Sequence, residues 1–397
     1  MTESETMRLP DSFLVGASTA AHQIEGDNTT SDWWMLEQTR PDRLQPSGRA
    51  CDSLHRWEDD MDLAAAAGLN AYRFSVEWAR IEPEDGAFSQ PAIDHYRRMV
   101  AGARERGLEP VVTLHHFTNP LWFFAGGGWL RPDAAQRFGR YLERVAPVLD
   151  EGVRTAITIN EPNMVAIMHR VISGQVDLEK GLGGGMPLPD PAVTDALIAV
   201  HHAAREQLHA QHPGLAVGWS IANQNVQWVP GGEEAAAECS EAIEDVFLRA
   251  AVGDDLVGVQ SYSRVVYGPD GLVEPEPEVP RTSNGWEYRP EALGEALRHT
   301  AAIVPGVPIM VTENGISTRD DAQRIAYTTG ALRGLAECLA DGIDVRGYLH
   351  WSLLDNYEWG RWEPTFGLVA VDRETFARTP KPSLAWLGAV ARSRVLP

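Results

Sequence analysis

Short runs of apolar, often β-branched residues alternate with longer amphipathic stretches along almost the whole chain. Eight runs are short enough to be strands, and we predict strands at 13–18, 71–77, 110–115, 155–160, 215–221, 256–262, 308–313 and 345–352. The stretches between them repeat apolar residues at the helical period, which predicts helices at 57–67, 92–106, 134–149, 194–212, 235–252, 290–303 and 322–340. This alternation is typical of a parallel sheet covered by helices. We therefore predict the α/β class and a single (β/α)8 TIM barrel.

Glycines and loop lengths add detail to this barrel. A glycine follows several predicted helices just before the next strand, as is typical of helix C-caps, at Gly68, Gly107, Gly152, Gly306 and Gly342. The longest irregular segments, 28–50, 173–192 and 263–289, follow the first, fourth and sixth strands. Such loops surround the active site of a barrel, so we expect them to tune its specificity. Because no linker interrupts the pattern, we predict one catalytic domain over 1–397, with a flexible terminus over 1–9.

Composition and charge exclude several classes of partner. The formal net charge is −22, whereas binding to nucleic acids or anionic membranes requires a basic surface. A neutral small-molecule substrate is compatible with this charge. No apolar stretch approaches the ~18 residues of a membrane span, and the polar first ten residues do not resemble a signal peptide. The widely spaced Cys51, Cys239 and Cys338 are typical of reduced cysteines, so we expect a cytoplasmic protein. Phosphate-loop and metal-ligand patterns are absent, so we predict no cofactor and no metal.

Two short motifs each place a glutamate where an apolar run gives way to a loop. One motif is TINEP at 158–162 and the other is VTENG at 311–315, so Glu161 follows the fourth predicted strand and Glu313 ends the seventh. In a barrel the C-terminal ends of the strands converge on one pocket, even from distant parts of the chain. Two carboxylates in one pocket are the machinery of glycoside hydrolysis. Either glutamate alone could cap a helix or face solvent, but the pair, each beside an asparagine, favours catalysis.

The chain also resembles family 1 of the glycoside hydrolases, the β-glucosidase family, in motifs that occur in order from about residue 10 to its end. Besides the two glutamate motifs, these are FLVGAS at 13–18, HQIEG at 22–26, YRFSVEWAR at 72–80, TLHHF at 113–117, WSLLDNYEW at 351–359 and FGLV at 366–369. The resemblance implies a (β/α)8 barrel and a retaining exo-β-glycosidase. We expect it to release terminal non-reducing β-D-glucosyl residues, with galactosyl or fucosyl residues as further options.

The resemblance implies a role for each residue around the reacting bond. Glu161 corresponds to the acid/base and Glu313 to the nucleophile, and their carboxyl groups lie about 5 Å apart in retaining enzymes. The charge of Glu313 should then raise the pKa of Glu161 and keep it protonated. Arg73 corresponds to an arginine that holds the nucleophile ionised, and Tyr262 to a tyrosine that orients it. Asn160 corresponds to the residue that contacts the sugar 2-hydroxyl.

The resemblance also implies the residues that bind the sugar. Gln23 and His116 correspond to ligands of the 3- and 4-hydroxyls. Glu358 and Trp359 correspond to ligands of the 3-, 4- and 6-positions. An aromatic platform under the sugar ring and one further pocket tryptophan complete the site, and these correspond to Trp351 and Trp129.

Two positions depart from the family pattern. The usual Asn-Tyr-Tyr is Gln260-Ser261-Tyr262 in this chain. Asn163 stands where many members place a tryptophan that stacks on the aglycone, and the loop after the fourth strand is short. The sequence therefore leaves the aglycone preference open.

Particular residues bear on other activities. A 6-phospho-β-glycosidase is disfavoured because the carboxylate of Glu358 would repel a 6-phosphate. A non-catalytic sugar-binding protein would lack one of the glutamates, and both Glu161 and Glu313 are present. A transglycosylating member of the family cannot be separated from a hydrolase by sequence, and the oligomeric state stays open as well.

Overall fold

Eight parallel strands close into a barrel in this computed structural model, which describes residues 7–175 and 186–397. We number the strands 1 to 8 in chain order, and they are Leu14–Ser18, Ala71–Ser75, Glu109–Thr113, Thr155–Asn160, Ala216–Asn223, Leu256–Ser261, Ile309–Asn314 and Val345–Trp351. Each strand pairs with the next one along the chain, and strand 8 closes the barrel on strand 1 through Leu14 and Gly347. The predicted (β/α)8 TIM barrel is confirmed, and the observed strands begin and end close to the predicted bounds.

Helices cover the outside of the barrel. They are Ala21–Ile24, Asp32–Thr39, Ser53–Ala67, Trp78–Ile81, Gln90–Glu105, Leu121–Ala125, Ala134–Leu149, Pro162–Ile172, Pro191–Gln211, Glu233–Ser240, Val246–Ala250, Ala292–Ile303, Asp321–Ala340 and Pro382–Ser393. A 3-10 turn at Gly128–Leu130 and a π turn at Glu241–Asp245 lie between them. The π turn divides the helix predicted at 235–252 into two. The predicted cap glycines all have positive φ, from 73° at Gly107 to 99° at Gly152, as a left-handed C-cap requires.

Six helices lie where the sequence predicted none, and three of them, Ala21–Ile24, Trp78–Ile81 and Leu121–Ala125, are single turns of four or five residues. The other three are longer. Asp32–Thr39 lies inside the predicted loop 28–50, Pro162–Ile172 follows strand 4, and Pro382–Ser393 lies near the end of the chain. The last two begin with a proline at the first turn, where its fixed φ and missing N–H fit a helix start. Both are short and apolar at most positions, and a short apolar run cannot be assigned to a helix or a strand from its sequence alone. The loop predicted at 173–192 ends at the helix Pro191–Gln211, and its residues 176–185 lie outside the described part.

The barrel interior contains an apolar cluster with one residue from each strand. Its members are Leu14, Ala71, Val111, Ile157, Ala216, Leu256, Met310 and Leu349. A larger core lies between the strands and the helices, where side chains such as Tyr72, Phe74 and Trp219 are almost fully buried. Burial on both faces explains why the strands read as nearly continuous apolar runs. Polar side chains therefore collect beyond this packed interior, at the C-terminal ends of the strands.

The two ends of the described chain pair with each other beside the barrel. The Leu9 N–H donates to the Arg394 carbonyl at 2.7 Å, and the Leu396 N–H donates to the Met7 carbonyl at 3.0 Å. Leu9 is also buried in the core. The flexible terminus predicted over 1–9 is therefore corrected for residues 7–9, because an apolar side chain and backbone bonds hold them; residues 1–6 lie outside the described part. Within residues 7–175 and 186–397, we find no helix with the length and apolar character needed to cross a membrane.

Candidate active site

The C-terminal ends of the strands open into a cavity of about 1070 Å³, a size that fits a small-molecule ligand. Most residues predicted for the site line this cavity, namely His116, Trp129, Glu161, Tyr262, Glu313, Trp351, Glu358 and Trp359. Gln23, Arg73 and Asn160 are buried behind it and bond to lining residues. Described residues of the three predicted loops at 28–50, 173–192 and 263–289 line the cavity as well. The structure thus brings the predicted site together at one place.

Glu313, at the end of strand 7, is held by directed hydrogen bonds. Arg73 donates from Nη1 to Oε1 at 2.6 Å, and Gln260 donates from Nε2 to the same oxygen at 2.9 Å. The Tyr262 hydroxyl donates to Oε2 at 2.7 Å. Arg73 is fully buried and fixed by a further bond from Nε to Thr113 at 3.0 Å. Donors aimed at a carboxylate in this way favour its ionised form.

Glu161 has very different surroundings. It precedes the helix Pro162–Ile172, and its φ of 44° is a left-handed conformation that residues other than glycine rarely adopt. Its backbone N–H donates to the Ser220 carbonyl at 2.8 Å. Its side chain makes no capping bond and accepts no hydrogen bond from the residues that the structure describes. The alternative in which Glu161 merely caps a helix is therefore wrong.

These surroundings separate the protonation states of the two glutamates. Burial raises the pKa of Glu161 well above its usual value, and the nearby charge of Glu313 raises it further. Burial also raises the pKa of Glu313, but the charge of Arg73 and the bond from Tyr262 oppose that rise. When the pair holds one proton, the proton therefore lies on Glu161 and the negative charge on Glu313.

Asn160 is oriented by the same donors that hold Glu313. Its Oδ1 accepts from Arg73 Nη2 at 2.6 Å and from Gln260 Nε2 at 2.8 Å, while its Nδ2 faces His116 Nε2 at 3.3 Å. Burial, and then the charge of Arg73, lowers the pKa of His116 well below its usual value, so the imidazole is neutral. His116 Nδ1 is buried without a partner among the described residues. Such an atom is costly to leave unpaired, so it is suited to bind a ligand hydroxyl.

A further polar group lies where the segments after strands 1 and 8 meet. Gln23 Nε2 donates to Asn356 Oδ1 at 3.0 Å and to the Tyr357 carbonyl at 2.9 Å, while its Oε1 has no partner within the described chain. Glu358 accepts from the Trp351 indole at 3.1 Å. Burial raises the pKa of Glu358 to about 8, against the lowering effect of the Trp351 bond. Glu358 is therefore mostly protonated at neutral pH, so the charge repulsion predicted against a 6-phosphate is weaker than the sequence indicates.

Aromatic rings enclose the same part of the cavity. Trp351 is nearly parallel to His116, with ring centroids 5.9 Å apart, and Trp359 is nearly parallel to it at 6.1 Å. Trp33 and Phe117 meet Trp359 edge-on at 4.9 and 4.8 Å. Trp359 itself has a φ of 47°, so the backbone is strained to place this indole at the cavity.

Trp129 contributes both to the cavity and to the core. Its ring packs edge-on against His115 at 5.0 Å and against Phe123 at 5.2 Å. Its indole Nε1 is buried without a partner in the part of the chain that the structure describes. Because Trp129 also lines the cavity, this N–H is a donor available to a ligand.

Sequence reasoning missed three residues of the site. Gln260 joins Asn160 to Glu313, and a signal for it exists because Gln260 and Tyr262 lie two residues apart at the end of strand 6. Trp33 comes from the loop predicted to wall the site. Phe117 directly follows His116 and lines the cavity.

The asparagines after the two glutamates serve the scaffold. Asn163 donates from Nδ2 to the carbonyls of Ala222 at 2.8 Å and Ile243 at 3.0 Å. Asn314 donates to the Ser261 carbonyl at 2.7 Å and accepts from Tyr348 at 2.9 Å. These bonds use the side-chain amides to tie neighbouring elements together, so neither asparagine is available to a ligand.

The histidine before His116 is held by a neighbouring amide. His115 bonds to Asn119 Oδ1 at 3.1 Å, and burial lowers its pKa to about 4. Residues 7–175 and 186–397 contain no group of three or more histidine, cysteine, aspartate or glutamate side chains placed to hold a metal ion.

Known proteins resemble this chain in sequence over nearly its whole length. The sequence model of a family described as Glycosyl hydrolase family 1 matches residues 5–247 and 255–395. A bifunctional β-D-glucosidase/β-D-fucosidase of Bifidobacterium breve is 31% identical, with 96% of this chain and 97% of that protein covered. Thermostable β-glucosidase B of Thermobispora bispora is also 31% identical, with 97% of this chain and 91% of that protein covered.

Solved structures resemble it in fold. A β-glycosidase named BGL167 has a TM-score of 0.89 and 44% identity, with 97% of each chain covered. A β-glycosidase from Pyrococcus horikoshii has a TM-score of 0.88 and 33% identity, with 99% of this chain and 96% of that chain covered. Together with the paired glutamates at the ends of strands 4 and 7, these similarities show that the chain is a glycoside hydrolase and belongs to glycosyl hydrolase family 1.

Proposed function

We propose that this glycoside hydrolase is a retaining exo-β-glycosidase that releases terminal non-reducing β-D-glucosyl residues from small β-glycosides. One observation carries the proposal. Glu313 accepts hydrogen bonds from Arg73, Gln260 and Tyr262, whereas Glu161 accepts none from the described residues. A retaining mechanism needs one ionised carboxylate as nucleophile and one protonated carboxyl group as acid. The two surroundings favour these two states, with Glu313 as the nucleophile and Glu161 as the acid.

The first step would join the sugar to Glu313. Glu161 donates its proton to the glycosidic oxygen while a carboxylate oxygen of Glu313 attacks the anomeric carbon. The bond to the aglycone breaks, the aglycone leaves as an alcohol, and the sugar is held as an ester. Esterified Glu313 carries no charge, so the pKa of Glu161 falls. Its carboxylate then takes a proton from a water molecule that attacks the anomeric carbon. The ester bond to Glu313 breaks, Glu313 leaves as a carboxylate, and the sugar is released with its original configuration.

Three neighbours would support these steps through Glu313 and the sugar. The buried charge of Arg73 stabilises the carboxylate of Glu313 before attack and again as it leaves. Tyr262 fixes the second carboxylate oxygen, so that the first step begins from one orientation. Asn160 has its oxygen occupied by Arg73 and Gln260, and one amide N–H faces His116 Nε2, so the second N–H would donate to the 2-hydroxyl of a bound sugar.

The unpaired buried atoms support action at the end of a sugar chain. Gln23 Oε1 and His116 Nδ1 lack partners among the described residues, and each can be satisfied by an outer hydroxyl of a hexose. Glu358 lies beside Gln23 and accepts from Trp351, the proposed platform under the ring. Trp359 closes the same region with its indole ring. A hydroxyl that donates to one of these buried atoms cannot also be glycosylated, which favours exo action.

The names of the relatives support the choice of sugar. One is a bifunctional β-D-glucosidase/β-D-fucosidase and the other is a β-glucosidase. We therefore propose β-glucosides as the main substrates, with fucosides and galactosides as secondary ones. The buried free thiols of Cys51, Cys239 and Cys338 are compatible with a reducing compartment, which supports the cytoplasm as its location.

Product stereochemistry tests the mechanism directly. We expect NMR of the fresh product from p-nitrophenyl β-glucoside to show the β-anomer before mutarotation. An initial α-anomer would mean inversion and overturn the proposal. A panel of chromogenic β-glucosides, β-fucosides, β-galactosides and 6-phospho-β-glucosides, assayed with and without an alcohol acceptor, tests the substrate class. A preference for the phosphorylated sugar, or transfer to the alcohol in place of hydrolysis, would contradict it.

A further inference from the structure

One buried amide close to Glu161 joins three segments of the chain. Asn163 lies two residues after Glu161, near the start of the helix Pro162–Ile172, and is fully buried. Its Nδ2 donates to the Ala222 carbonyl at 2.8 Å and to the Ile243 carbonyl at 3.0 Å, and its Oδ1 accepts from the Ala222 N–H at 3.3 Å. A buried polar group whose bonds are all satisfied in this way holds the segments that it joins in one arrangement.

The two bonds to Ala222 extend the pairing of strands 4 and 5 beyond Glu161. Asn160 is the last residue of strand 4 in register with strand 5, where it lies opposite Ser220. The Glu161 N–H then donates to the Ser220 carbonyl at 2.8 Å. Two residues further along strand 5, both peptide groups of Ala222 bond to the Asn163 amide. A side chain therefore makes the next step of this ladder, directly after the glutamate.

The third bond reaches the π turn, which also holds the end of strand 5. Ile243 belongs to this turn and accepts from the Asn163 amide. The next residue, Glu244, is buried and accepts from the Gln224 N–H at 2.6 Å and from Asn223 Nδ2 at 3.2 Å. Turns of this kind are rare in helices and are frequent at functional sites. Two consecutive residues of the π turn thus fix strand 5 and the start of the helix after Glu161 against each other.

The backbone at Glu161 needs support of this kind. Its φ of 44° is a conformation that persists only where the surroundings impose it. The helix that follows has no side-chain cap within the described chain, and Pro162 at its first turn has no N–H. Because the Glu161 carboxyl group accepts no bond from a described residue, its backbone decides where that group lies. The bonds of Asn163 fix the backbone directly after it.

A second asparagine makes similar bonds at the other end of the barrel. Asn70 directly precedes strand 2, and its Oδ1 accepts from the Val15 N–H at 2.7 Å while its Nδ2 donates to the Phe13 carbonyl at 3.2 Å. Like Asn163, it joins its own segment to both kinds of backbone group on a neighbouring segment. It does not line the cavity. Loss of the Asn70 amide therefore shows what such bonds contribute to the fold alone.

We propose that Asn163 is a positioning residue for Glu161: its amide holds the backbone after Glu161 against strand 5 and the π turn, so that the carboxyl group stays within reach of the glycosidic oxygen. This inference rests on the proposed retaining glycosidase function and adds to it a residue that lies outside the cavity lining. Without the amide, the start of the helix is free to shift, and a displacement of about 1 Å in a catalytic group costs up to about 10²-fold in rate. Glu313 is held by its own donors and keeps its place.

Two substrates with unlike leaving groups test the proposal. Phenyl β-glucoside needs a proton on its leaving group, whereas 2,4-dinitrophenyl β-glucoside does not. We would measure kcat and KM for both on the natural enzyme, Asn163→Ala, Asn163→Leu and the matched control Asn70→Ala. Alanine leaves room for water to bond to the exposed backbone groups, and leucine fills the volume of the amide without hydrogen bonds. The Tm of each variant, and its inactivation by 2,4-dinitrophenyl 2-deoxy-2-fluoro-β-glucoside, report on the fold, the sugar site and Glu313 without acid catalysis.

The expected losses follow the need for Glu161. In both Asn163 variants, kcat/KM for phenyl β-glucoside should fall about tenfold, a part of the usual contribution of a general acid. The dinitrophenyl substrate should keep its kcat/KM within about twofold, and the fluoro sugar its inactivation rate, because neither needs the acid. For the dinitrophenyl substrate, kcat and KM should fall together by about tenfold, since the glycosyl-enzyme then waits for the base. Asn70→Ala should lower Tm and leave the ratio between the two substrates unchanged.

Three results would overturn the proposal. Equal losses of kcat/KM on both substrates in Asn163→Ala would mean that Asn163 serves the fold of the whole pocket. An unchanged kcat/KM for phenyl β-glucoside would mean that Glu161 keeps its place without the amide. A loss in Asn163→Ala that Asn163→Leu does not share would assign the effect to packing; if the leucine variant does not fold, the alanine variant decides alone. The proposed function fails in a different way, because a natural enzyme that cleaves neither substrate would contradict it, whereas the natural enzyme acts on both in each result above.

Discussion

The ends of strands 4 and 7 each present a glutamate to one cavity, but the two glutamates have different surroundings. At strand 7, Arg73, Gln260 and Tyr262 all donate to Glu313. At strand 4, Glu161 has burial and the charge of Glu313 around it and no donor within the described chain. Identical side chains thus acquire different roles from their neighbours alone, because donors favour the charged form and burial favours the neutral form.

The largest expected effect follows removal of Glu313, the carboxylate that accepts the directed hydrogen bonds. We expect Glu313→Gly to lower kcat for p-nitrophenyl β-glucoside by at least about 10⁴-fold, because no covalent intermediate can form. Added azide should restore turnover by entering the vacated space, and NMR should show α-glucosyl azide as the product. A β-azide product would assign the nucleophile elsewhere.

A control is needed because Glu313→Gly leaves the buried charge of Arg73 without its partner, which destabilises a fold. Glu313→Gln keeps a hydrogen-bond acceptor and nearly the same side-chain volume at this position. It should be equally inactive and should still bind glucose in calorimetry, whereas loss of binding in both variants would indicate misfolding.

Removal of the other carboxyl group should affect substrates unequally. Glu161→Gln cannot donate a proton, so cellobiose hydrolysis should fall by about 10³-fold, within the usual contribution of a general acid. Dinitrophenyl β-glucoside needs no proton for its leaving group and should still glycosylate the enzyme, giving a burst and then a stall.

The pH profile gives a second measurement on Glu161. The natural enzyme should lose activity as the pH rises through the raised pKa of Glu161, since the acid form disappears. In Glu161→Gln this alkaline fall of the glycosylation rate should be absent. Equal losses on both substrates with an unchanged profile would show that Glu161 is structural.

The residues of the site differ in how far the sequence could predict them. Glu161 and Glu313 each lie where an apolar run ends, so the barrel rule places them at one pocket. Arg73 lies inside strand 2, and only the family resemblance predicted its place in the site. Gln260 acquires its role from register, because it lies opposite Glu313 on the neighbouring strand, and that pairing exists only after the strands associate. Trp33 comes from a long segment predicted as a loop, where the sequence shows no period that would indicate which way a side chain points. The scaffold role of Asn163 likewise depends on carbonyls of distant segments.

Glu358 is an intermediate case between the two glutamates, because its donors are the neutral groups of Trp351 and Gln23. We expect Glu358→Ser to lower kcat/KM for p-nitrophenyl β-glucoside by about 10²-fold. This corresponds to the loss of a hydrogen bond to the sugar together with the cost of leaving its buried partner unpaired. The loss should be smaller for a substrate that lacks the sugar 6-hydroxyl. An equal loss for both would mean that Glu358 does not contact the outer hydroxyls.

Stability against pH gives an independent measurement on Glu358. Its pKa is raised to about 8 in the folded state, above the ordinary value of 4.5, so ionisation disfavours folding as the pH rises from about 4.5 through 8. Glu358→Gln should therefore match the natural Tm at pH 4 and exceed it at pH 9. Glu374→Gln, at an exposed glutamate, is the matched control for the loss of one charge. A Tm difference that does not grow with pH would contradict the raised pKa.

The smallest expected effect comes from removing a single donor at strand 7. Tyr262→Phe keeps the ring between Trp286 and Phe366 and deletes only the hydroxyl that bonds to Glu313 Oε2 at 2.7 Å. A hydrogen bond to a charged group contributes about 1.5–3 kcal/mol, so kcat/KM should fall by roughly tenfold to a hundredfold. Because this bond lowers the pKa of Glu313, its loss should move the acidic limb of the pH profile to higher pH, while the alkaline limb set by Glu161 stays in place. Tyr288→Phe, whose ring packs on Tyr327 away from the cavity lining, is the matched control and should change neither limb. A shift of both limbs in Tyr262→Phe would mean that the two glutamates titrate as one unit and that the donors at strand 7 do not distinguish them.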